Sequence, residues 1–440
     1  MDNRLKVLIY FYIFSTILDG IFRKWILPQF SNGLMIVKSI IAAIILLEGV
    51  KYWNRFSKWE ISSILLGFIS FILTLLAGHG NLPVAIFGCF PLLIGIPVCF
   101  VIGKELKKTD IIIIGKWFVY IAIINSIFII IQFLFPVTHI INIGGGSTEG
   151  IEGASVASLS GGFRPPGIFN HNTQTSAFCS LAFTFMLYFY FVKKKIINKY
   201  LLIIAIVLEL ISIVLSSSRT NVFVHLGIIS FFFLFATDAK RKLKFIKVVA
   251  ISLPFLFVVA STSLLDSAFE NMRNRFESAS ESQYSGSSTL EGTINDIVYR
   301  GFIYHLEALV EPKTFSGEEP PFWGYGQGMG TQIGGRLLEL GKNTAGFSVA
   351  EWDGLRIMCE SGLLLGWFII FVRVGYAFRF LFKISIMRYN RMILSICVLP
   401  SFLVMFYLTS TWGNVFICNF AFIVGGIFLA SLKIKEDHGN

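Results

Sequence analysis

The feature that most constrains this chain is a series of apolar stretches about 20 residues long, of which residues 111–135 are a clear example. A helix of that length crosses the hydrocarbon core of a bilayer. A transmembrane barrel would require strands with alternating polar and apolar residues, and these stretches do not alternate. With 55% hydrophobic and 14% charged residues, the chain is too apolar for a soluble multidomain protein. We therefore predict an all-α, polytopic membrane protein.

The apolar stretches predict about twelve transmembrane helices. A turn at 216–220 is very short and the last two stretches are almost contiguous, so ten or eleven spans are the alternatives. The prediction divides the chain into N-terminal helices over 1–262, a large periplasmic loop over 263–352 and C-terminal helices over 353–440. The approximate spans are 5–22, 34–50, 60–78, 84–102, 111–135, 171–192, 200–216, 220–236, 245–262, 356–382, 391–410 and 412–431.

The charge distribution predicts the orientation of these helices. The net charge is +11, and most of the 37 Lys and Arg residues fall in short clusters between spans. Such clusters mark cytoplasmic loops, so both termini are predicted to be cytoplasmic and nucleic acid is not predicted as a partner. The six cysteines lie in apolar segments without a CxxC pair, the histidines lack metal-ligand spacing, and no phosphate-binding glycine loop follows a strand. We predict no metal and no cofactor.

The stretch RPPGIFNHN, residues 164–172, places polar groups where an apolar segment begins. Its two prolines force an extended approach, and Asn170 or Asn172 is expected to cap a helix starting near His171. Arg164 would then lie beside the positive end of that helix, an arrangement that suits an anion, above all a phosphate. The alternative is an interfacial arginine that reaches lipid headgroups.

A second arginine lies in SSSRTN, residues 216–221, between two apolar runs. An ionisable residue at membrane depth is a functional-site hypothesis by default, although a serine-capped hairpin is the structural alternative. If Arg219 and Arg164 share the outer face, they favour a dianionic or pyrophosphate partner. Asp19, inside the first span, is expected to pair with Arg23 one turn on.

Several motifs in this order resemble those of the O-antigen ligase and Wzy-type polysaccharide polymerase superfamily of bacterial inner-membrane proteins. The resemblance spans most of the chain and rests on short pieces. These pieces are DGIFRKWILP at 19–28, RPPGIFNHN at 164–172, SSSRT at 216–220, Arg300 with HLEALVEP and GYGQGMG, and EWDGLRIMCESGLLLG at 351–366.

The resemblance implies transfer of a glycan from an undecaprenyl-diphosphate carrier to a sugar hydroxyl on the periplasmic face, without metal or nucleotide. Arg164, Arg219 and Arg300 occupy the positions of arginines that hold the diphosphate. Asn170, His171 and Asn172 are expected to bind the acceptor or cap the helix. The implied partners are the lipid-linked glycan, membrane lipid and polysaccharide-assembly proteins such as a chain-length regulator, and no nucleic acid.

The chain departs from the family where a histidine often precedes the last re-entry into the membrane. Glu351 stands at that position, and a carboxylate can act as general base for an acceptor hydroxyl. Asp353 and His305 are the other candidates for this base. The missing histidine favours a polymerase over a ligase. A flippase for lipid-linked oligosaccharide is the second hypothesis, since cationic residues would bind the same diphosphate during passage, and a membrane scaffold of an export complex is the third.

Overall fold

The computed structural model describes residues 3–51, 56–136, 139–142, 164–192, 196–216, 218–236, 243, 270, 304–314, 317–338, 353–408 and 412–435. These residues form helices and connecting segments, with no strand among them. The α-helices are α1 Asn3–Ile21, α2 Ser31–Val50, α3 Lys58–Leu76, α4 Leu82–Phe90, α5 Ile96–Glu105, α6 Lys108–Leu134, α7 Asn172–Phe191, α8 Lys199–Leu215, α9 Arg219–Phe231, α10 Tyr304–Val310, α11 Gln332–Leu337, α12 Asp353–Phe378, α13 Ile384–Tyr389, α14 Ile393–Leu403 and α15 Val415–Ser431.

The helices match the predicted spans closely in position. In the described part of the chain, six helices are long and apolar enough to cross a membrane. Helices α4 and α5 form one of them, joined by a π-helical turn at Pro91–Gly95. The predicted span 245–262 lies outside the described residues, so the count of twelve spans and the periplasmic position of the 263–352 loop stay predictions. The six long helices are Arg4–Ile26, Gly33–Val50, Lys58–Leu76, Leu82–Glu105, Lys108–Leu134 and Asp353–Phe378.

Charged side chains bring both ends of the described chain to one end of the helix bundle. Lys6 pairs with Asp110 at 2.5 Å, at the start of α6. Lys433 donates to the carbonyl of Lys104 at 2.6 Å, at the end of α5. Because α5 ends where α6 begins, Lys6 and Lys433 both lie near the short connection between these two helices. The two ends of the described chain therefore lie at the same end of the bundle, as an even number of spans would require.

Helix α15 packs along α5 through glycines on both helices. A Cβ on Gly103 would lie 2.5 Å from a side-chain atom of Leu429, and one on Gly425 would lie 2.9 Å from Cys99 Sγ. Small residues let helix backbones approach closely, which is a main source of packing energy between membrane helices. This contact holds the C-terminal helix in the centre of the bundle, where most of its residues are buried.

The glycine-rich loop at 322–330 packs against a break in α12. Gly362 has φ +73 and non-helical geometry, which interrupts the helix and frees carbonyl groups of the preceding turn. Tyr325 N–H donates to the carbonyl of Cys359 at 2.9 Å, and Gly326 N–H donates to that of Glu360 at 2.9 Å. Non-helical backbone is tolerated within a membrane protein where other protein groups satisfy it, as they do here.

The same loop also packs on α4, and this contact requires glycine. A Cβ on Gly88 would lie 2.2 Å from the backbone nitrogen of Gly328. We expect Gly88→Ala to lower the stability of the folded state by about 1–3 kcal/mol, the usual cost of overpacking. The six cysteines are buried with free thiols, so thermal unfolding can be followed by a thiol-reactive dye.

The matched control for Gly88→Ala is Gly33→Ala, on the exposed first turn of α2. A Cβ there meets no atom within 4 Å. This change should leave the unfolding temperature unchanged or raise it slightly, because alanine favours a helix over glycine by about 1 kcal/mol. Equal unfolding temperatures in the two variants would contradict the loop contact.

Candidate functional site

The RPPG loop, residues 164–171, is held in place by polar side chains of α6. Gln132 Oε1 accepts from Gly167 N–H at 2.7 Å, and Asn125 Oδ1 accepts from Ile168 N–H at 3.0 Å. Gly167 has φ +67, a left-handed conformation that favours glycine, and a Cβ there would lie 2.1 Å from Asn125 Oδ1. The loop is therefore built into the bundle and positions Arg164 beside the start of α7.

His171, rather than an asparagine, caps α7. Its Nδ1 accepts from Thr173 N–H at 3.2 Å, and the side chain of Gln174 accepts from His171 N–H at 3.1 Å, completing a capping box. Asn170 precedes the cap, and Asn172 is the first helical residue. The prediction of a helix start near His171 is confirmed, and the expected cap by Asn170 or Asn172 is wrong. His171 was among the three residues expected to bind the acceptor or cap the helix, and the structure gives the cap to it.

Arg164 lies close enough to His171 to lower the pKa of its imidazole. Burial and the nearby guanidinium of Arg164 lower the pKa of His171 to about 4. The imidazole is therefore neutral at physiological pH and leaves Arg164 as the cationic member of the pair. The expected position of Arg164 beside the N-terminus of α7 is consistent with this coupling.

The lowered pKa predicts a pH-dependent stability. The unfolded chain takes up a proton on His171 near pH 6.5, whereas the folded chain does so only near pH 4. The stability contribution is therefore complete above pH 6.5 and is lost as the pH falls from 6.5 through 4. The unfolding temperature of the wild type should fall over this window.

His171→Asn provides the matched control, because asparagine offers a capping oxygen without a titrating group. Its unfolding temperature should fall less between pH 7 and pH 4 than that of the wild type, when both are followed by intrinsic tryptophan fluorescence at each pH, since a thiol-reactive dye loses its reactivity in acid. Parallel pH curves for the two proteins would contradict the assignment.

The two arginine motifs meet where α7 and α9 begin. Ser176 Oγ, one turn into α7, lies 3.3 Å from Ser218 Oγ. Ser218 is the N-cap of α9 and accepts from Asn221 N–H at 3.4 Å. Arg219 is the first residue of α9, and its backbone is the part that the structure describes. The N-termini of α7 and α9 are thus side by side, and both carry partial positive charge.

Buried amide groups without hydrogen-bond partners line this junction. Both amide atoms of Asn172 and the Oδ1 of Asn221 have no partner in the structure. The two residues are 3% and 1% exposed. Because burying a polar group without a hydrogen bond costs free energy, such groups point to a ligand that uses them. The donor of Asn172 and the two helix N-termini favour an anion.

A cluster of buried charges adjoins the RPPG loop on the side of α1 and α2. Asp19 accepts from Lys38 at 2.7 Å and lies 3.5 Å from Arg23, which confirms the predicted Asp19–Arg23 pair. Lys24 donates to the carbonyl groups of Gly167 and Phe169. Asp19 thus pairs with two cations, Lys38 and Arg23, while Lys24 holds the backbone of the RPPG loop. Sequence reasoning missed Lys24 and Lys38 as neighbours of the loop, because only the fold brings residues 24 and 38 to residue 167.

A second cluster, the α12 ion network, lies where α12 begins. Asp353 accepts from Arg356 Nε at 3.1 Å, pairs with Arg373 at 3.0 Å and accepts from Trp412 N–H at 2.8 Å. Arg356 also donates to Glu360 at 2.5 Å. All four charged residues are at least 95% buried. This geometry favours a structural anchor over a free general base for Asp353, whose carboxylate is already occupied.

A narrow crevice and an apolar groove lie near these clusters. The crevice, about 10 Å³ in volume, is lined by residues that include Ser39 beside Lys38, Thr331 at the end of the glycine-rich loop, and Trp412 of the ion network. The groove, about 640 Å³, lies on the surface of α12 beside the same loop. Its lining residues are Phe322, Leu363, Leu364, Trp367, Phe368 and Phe371.

Four predicted site residues lie wholly or partly beyond what the structure describes. Arg300 and Glu351 lie outside the described residues. His305 lies on α10 and Arg219 on α9, each with its backbone alone described. Arg164, Asn170, His171 and Asn172 lie together at the start of α7, whereas Asp353 belongs to the α12 ion network. Among the described residues, no group of three or more His, Cys, Asp or Glu could hold a metal ion.

Comparison with known proteins does not identify a family for this chain. No family model matches the sequence, and neither a curated protein nor a solved structure is significantly similar to it.

Proposed function

We propose that this protein is a membrane glycosyltransferase that transfers glycan repeat units from an undecaprenyl-diphosphate carrier to a sugar hydroxyl. The observation that carries the proposal is the contact between Ser176 and Ser218, 3.3 Å, which sets two arginine motifs and two helix N-termini side by side. Glycosyl transfer develops negative charge on the departing diphosphate. Fixed cations and backbone N–H groups aimed at that charge stabilise the transition state.

The proposed donor has two parts, and the chain offers a surface for each. A diphosphate suits the junction of α7 and α9, where two arginine motifs and two helix N-termini meet beside the unpaired amide donor of Asn172. A polyprenyl chain suits an apolar surface open to lipid, such as the groove on α12 that contains Trp367 and Phe371. A lipid-linked anion explains both features, whereas a soluble sugar phosphate would need no groove.

The general base is assigned to Glu351, with His305 as the alternative. A base must be able to accept a proton from the acceptor hydroxyl. Asp353 is less suited, because Arg356, Arg373 and a backbone N–H of Trp412 already engage its carboxylate. Polymerisation is preferred over ligation, since Glu351 replaces the histidine that the resembled family often carries there.

We infer that the protein resides in the bacterial inner membrane with both termini in the cytoplasm. The shared side of Lys6 and Lys433 and the basic clusters between spans support this orientation. The arginine junction then lies on the periplasmic side. Chain-length regulators and other polysaccharide-assembly proteins are the proposed partners.

The test is a transfer assay with the purified, detergent-solubilised protein. A short glycan on undecaprenyl diphosphate is added, and glycan length is followed on a gel. A ladder of longer chains supports a polymerase, and transfer to a separate lipid acceptor supports a ligase. The matched control is the same glycan on undecaprenyl monophosphate, which should not be extended. Absence of any transfer by a folded sample, with movement of the glycan lipid across vesicles instead, would replace the proposal by the flippase.

A further inference from the structure

One buried carboxylate differs from the others in its partner. Glu209 on α8 is fully buried and lies 3.5 Å from His225 Nε2 on α9. Every other buried carboxylate among the described residues pairs with lysine or arginine. Those pairs are Asp19 with Lys38, Glu60 with Lys104, Asp110 with Lys6, Asp353 with Arg373, and Glu360 with Arg356.

The tautomer of His225 follows from its other nitrogen. His225 Nδ1 lies 2.8 Å from the carbonyl oxygen of Asn221. A carbonyl oxygen only accepts, so Nδ1 carries a hydrogen and donates it. In a neutral imidazole Nε2 is then an acceptor, and it faces Glu209 Oε1. If Glu209 were also deprotonated, two lone pairs would face each other in the interior.

A single proton between Glu209 Oε1 and His225 Nε2 removes the repulsion between their lone pairs. Neither atom has another hydrogen-bond partner in the structure. Placing the proton on Glu209 gives a neutral acid beside a neutral imidazole, whereas placing it on His225 creates two ions. Each buried ion carries a large desolvation cost. No lysine or arginine among the described residues pairs with Glu209 to offset that cost.

The groups around the pair are polar but uncharged. Ser126 on α6 donates to Glu209 Oε2 at 3.4 Å. From α7, the thiol of Cys179 lies within hydrogen-bonding reach of Glu209, and the ring of Phe183 lies 4.8 Å from that of His225. Nothing in this described shell supplies a positive charge, which favours the neutral pair.

We propose that Glu209 and His225 form a proton-binding site inside the helix bundle, with the proton carried by Glu209 as a carboxylic acid that donates to His225 Nε2. The ligand of this site is the proton itself. Through Nδ1, His225 also holds the carbonyl of Asn221 in the first turn of α9. His225 is therefore a positioning residue for the N-terminus of α9, and this second role rests on the proposed function.

Infrared spectroscopy of the purified protein at neutral pH tests the proton site without any activity assay. The wild type should show a carboxylic acid C=O band that shifts in D₂O and is absent in Glu209→Gln. His225→Leu should move this band to higher frequency, because the acid loses its acceptor. A wild-type spectrum identical to that of Glu209→Gln in the carboxylic acid region would overturn the proposal, and so would a band unmoved by His225→Leu.

Two substitutions separate a protonated acid from an ion pair. Glutamine keeps an N–H donor toward Nε2, so Glu209→Gln should retain the unfolding temperature of the wild type and its glycan transfer within about threefold. Glu209→Leu removes the donor and should lower both. A Glu209→Gln protein as unstable as Glu209→Leu would indicate an ion pair and overturn the proposal. If the wild type transfers no glycan, the infrared and unfolding results still decide the proton site, while the proposed function fails separately.

Discussion

Arg219→Ala should abolish glycan transfer while leaving the protein folded in the membrane. Arg219 opens α9 directly after Ser218, whose hydroxyl lies 3.3 Å from Ser176 on α7. A guanidinium at this position would stabilise the charge that develops on the leaving diphosphate. Loss of one such donor lowers the rate by about 10²–10³-fold in enzymes with preorganised anion sites. The transfer rate is measured from the loss of donor glycan on a gel.

Arg164→Ala should have a similar effect, because Arg164 belongs to the other arginine motif of the junction, beside the cap of α7. Arg388→Ala is the matched control, since Arg388 is exposed on α13, between the end of α12 and the start of α14. The control should transfer glycan at the wild-type rate and melt at the wild-type temperature. Transfer at the wild-type rate by both Arg164→Ala and Arg219→Ala would remove the diphosphate role from these motifs.

The helices could be predicted from the sequence because their signal is local. Residues 58–76 form the helix predicted at 60–78, and residues 172–191 form that predicted at 171–192. Hydrophobic length alone sets such bounds to within a few residues. The helix start near His171 was also predictable from the prolines before it. Which of residues 170–172 caps the helix was not predictable, because capping propensities favour asparagine and the fold uses Nδ1 of His171.

The charge clusters could not be predicted, because they join distant parts of the chain. Lys38 on α2 pairs with Asp19 on α1, and Lys24 donates to the carbonyl of Gly167. The motif EWDGLRIMCESGLLLG drew attention to Glu351 and Asp353, yet Arg356 is the residue that links the acids of α12. Asp353 lies three residues before Arg356 and Glu360 lies four residues after it, so each acid is one turn from the arginine on the same face, a spacing that was visible in the sequence.

The role of the glycines in GYGQGMG was likewise only partly predictable from the sequence. The pattern predicted turns, and turns are what the loop contains, with positive φ at Gly324, Gly326 and Gly328. Their need for glycine comes from the surfaces they approach. A Cβ on Gly324 would lie 2.4 Å from the carbonyl oxygen of Glu360. Such close approach depends on the break at Gly362, which no spacing within the loop reveals.

Asp353→Asn should destabilise the protein strongly, because Asp353 neutralises two buried guanidinium groups. Removing one partner from a buried ion network leaves an uncompensated charge and costs about 3–5 kcal/mol. Here Arg356 would keep Glu360, whereas Arg373 would lose the carboxylate of Asp353. The asparagine amide would also place N–H groups against the N–H of Trp412 or Gly413, which now donate to Asp353 at 2.8 and 3.2 Å. The thiol-reactive dye should report unfolding at a markedly lower temperature.

The control for Asp353→Asn is Glu48→Gln, which breaks the exposed Lys51–Glu48 pair on α2. Exposed pairs contribute at most about 1 kcal/mol, so its unfolding temperature should stay close to that of the wild type. Glycan transfer by Asp353→Asn distinguishes the two roles of the residue. A structural anchor loses transfer and thermal stability together, because the glycine-rich loop donates to Glu360 through Gly330 N–H and depends on the network. Transfer lost at an unchanged unfolding temperature would instead make Asp353 the general base.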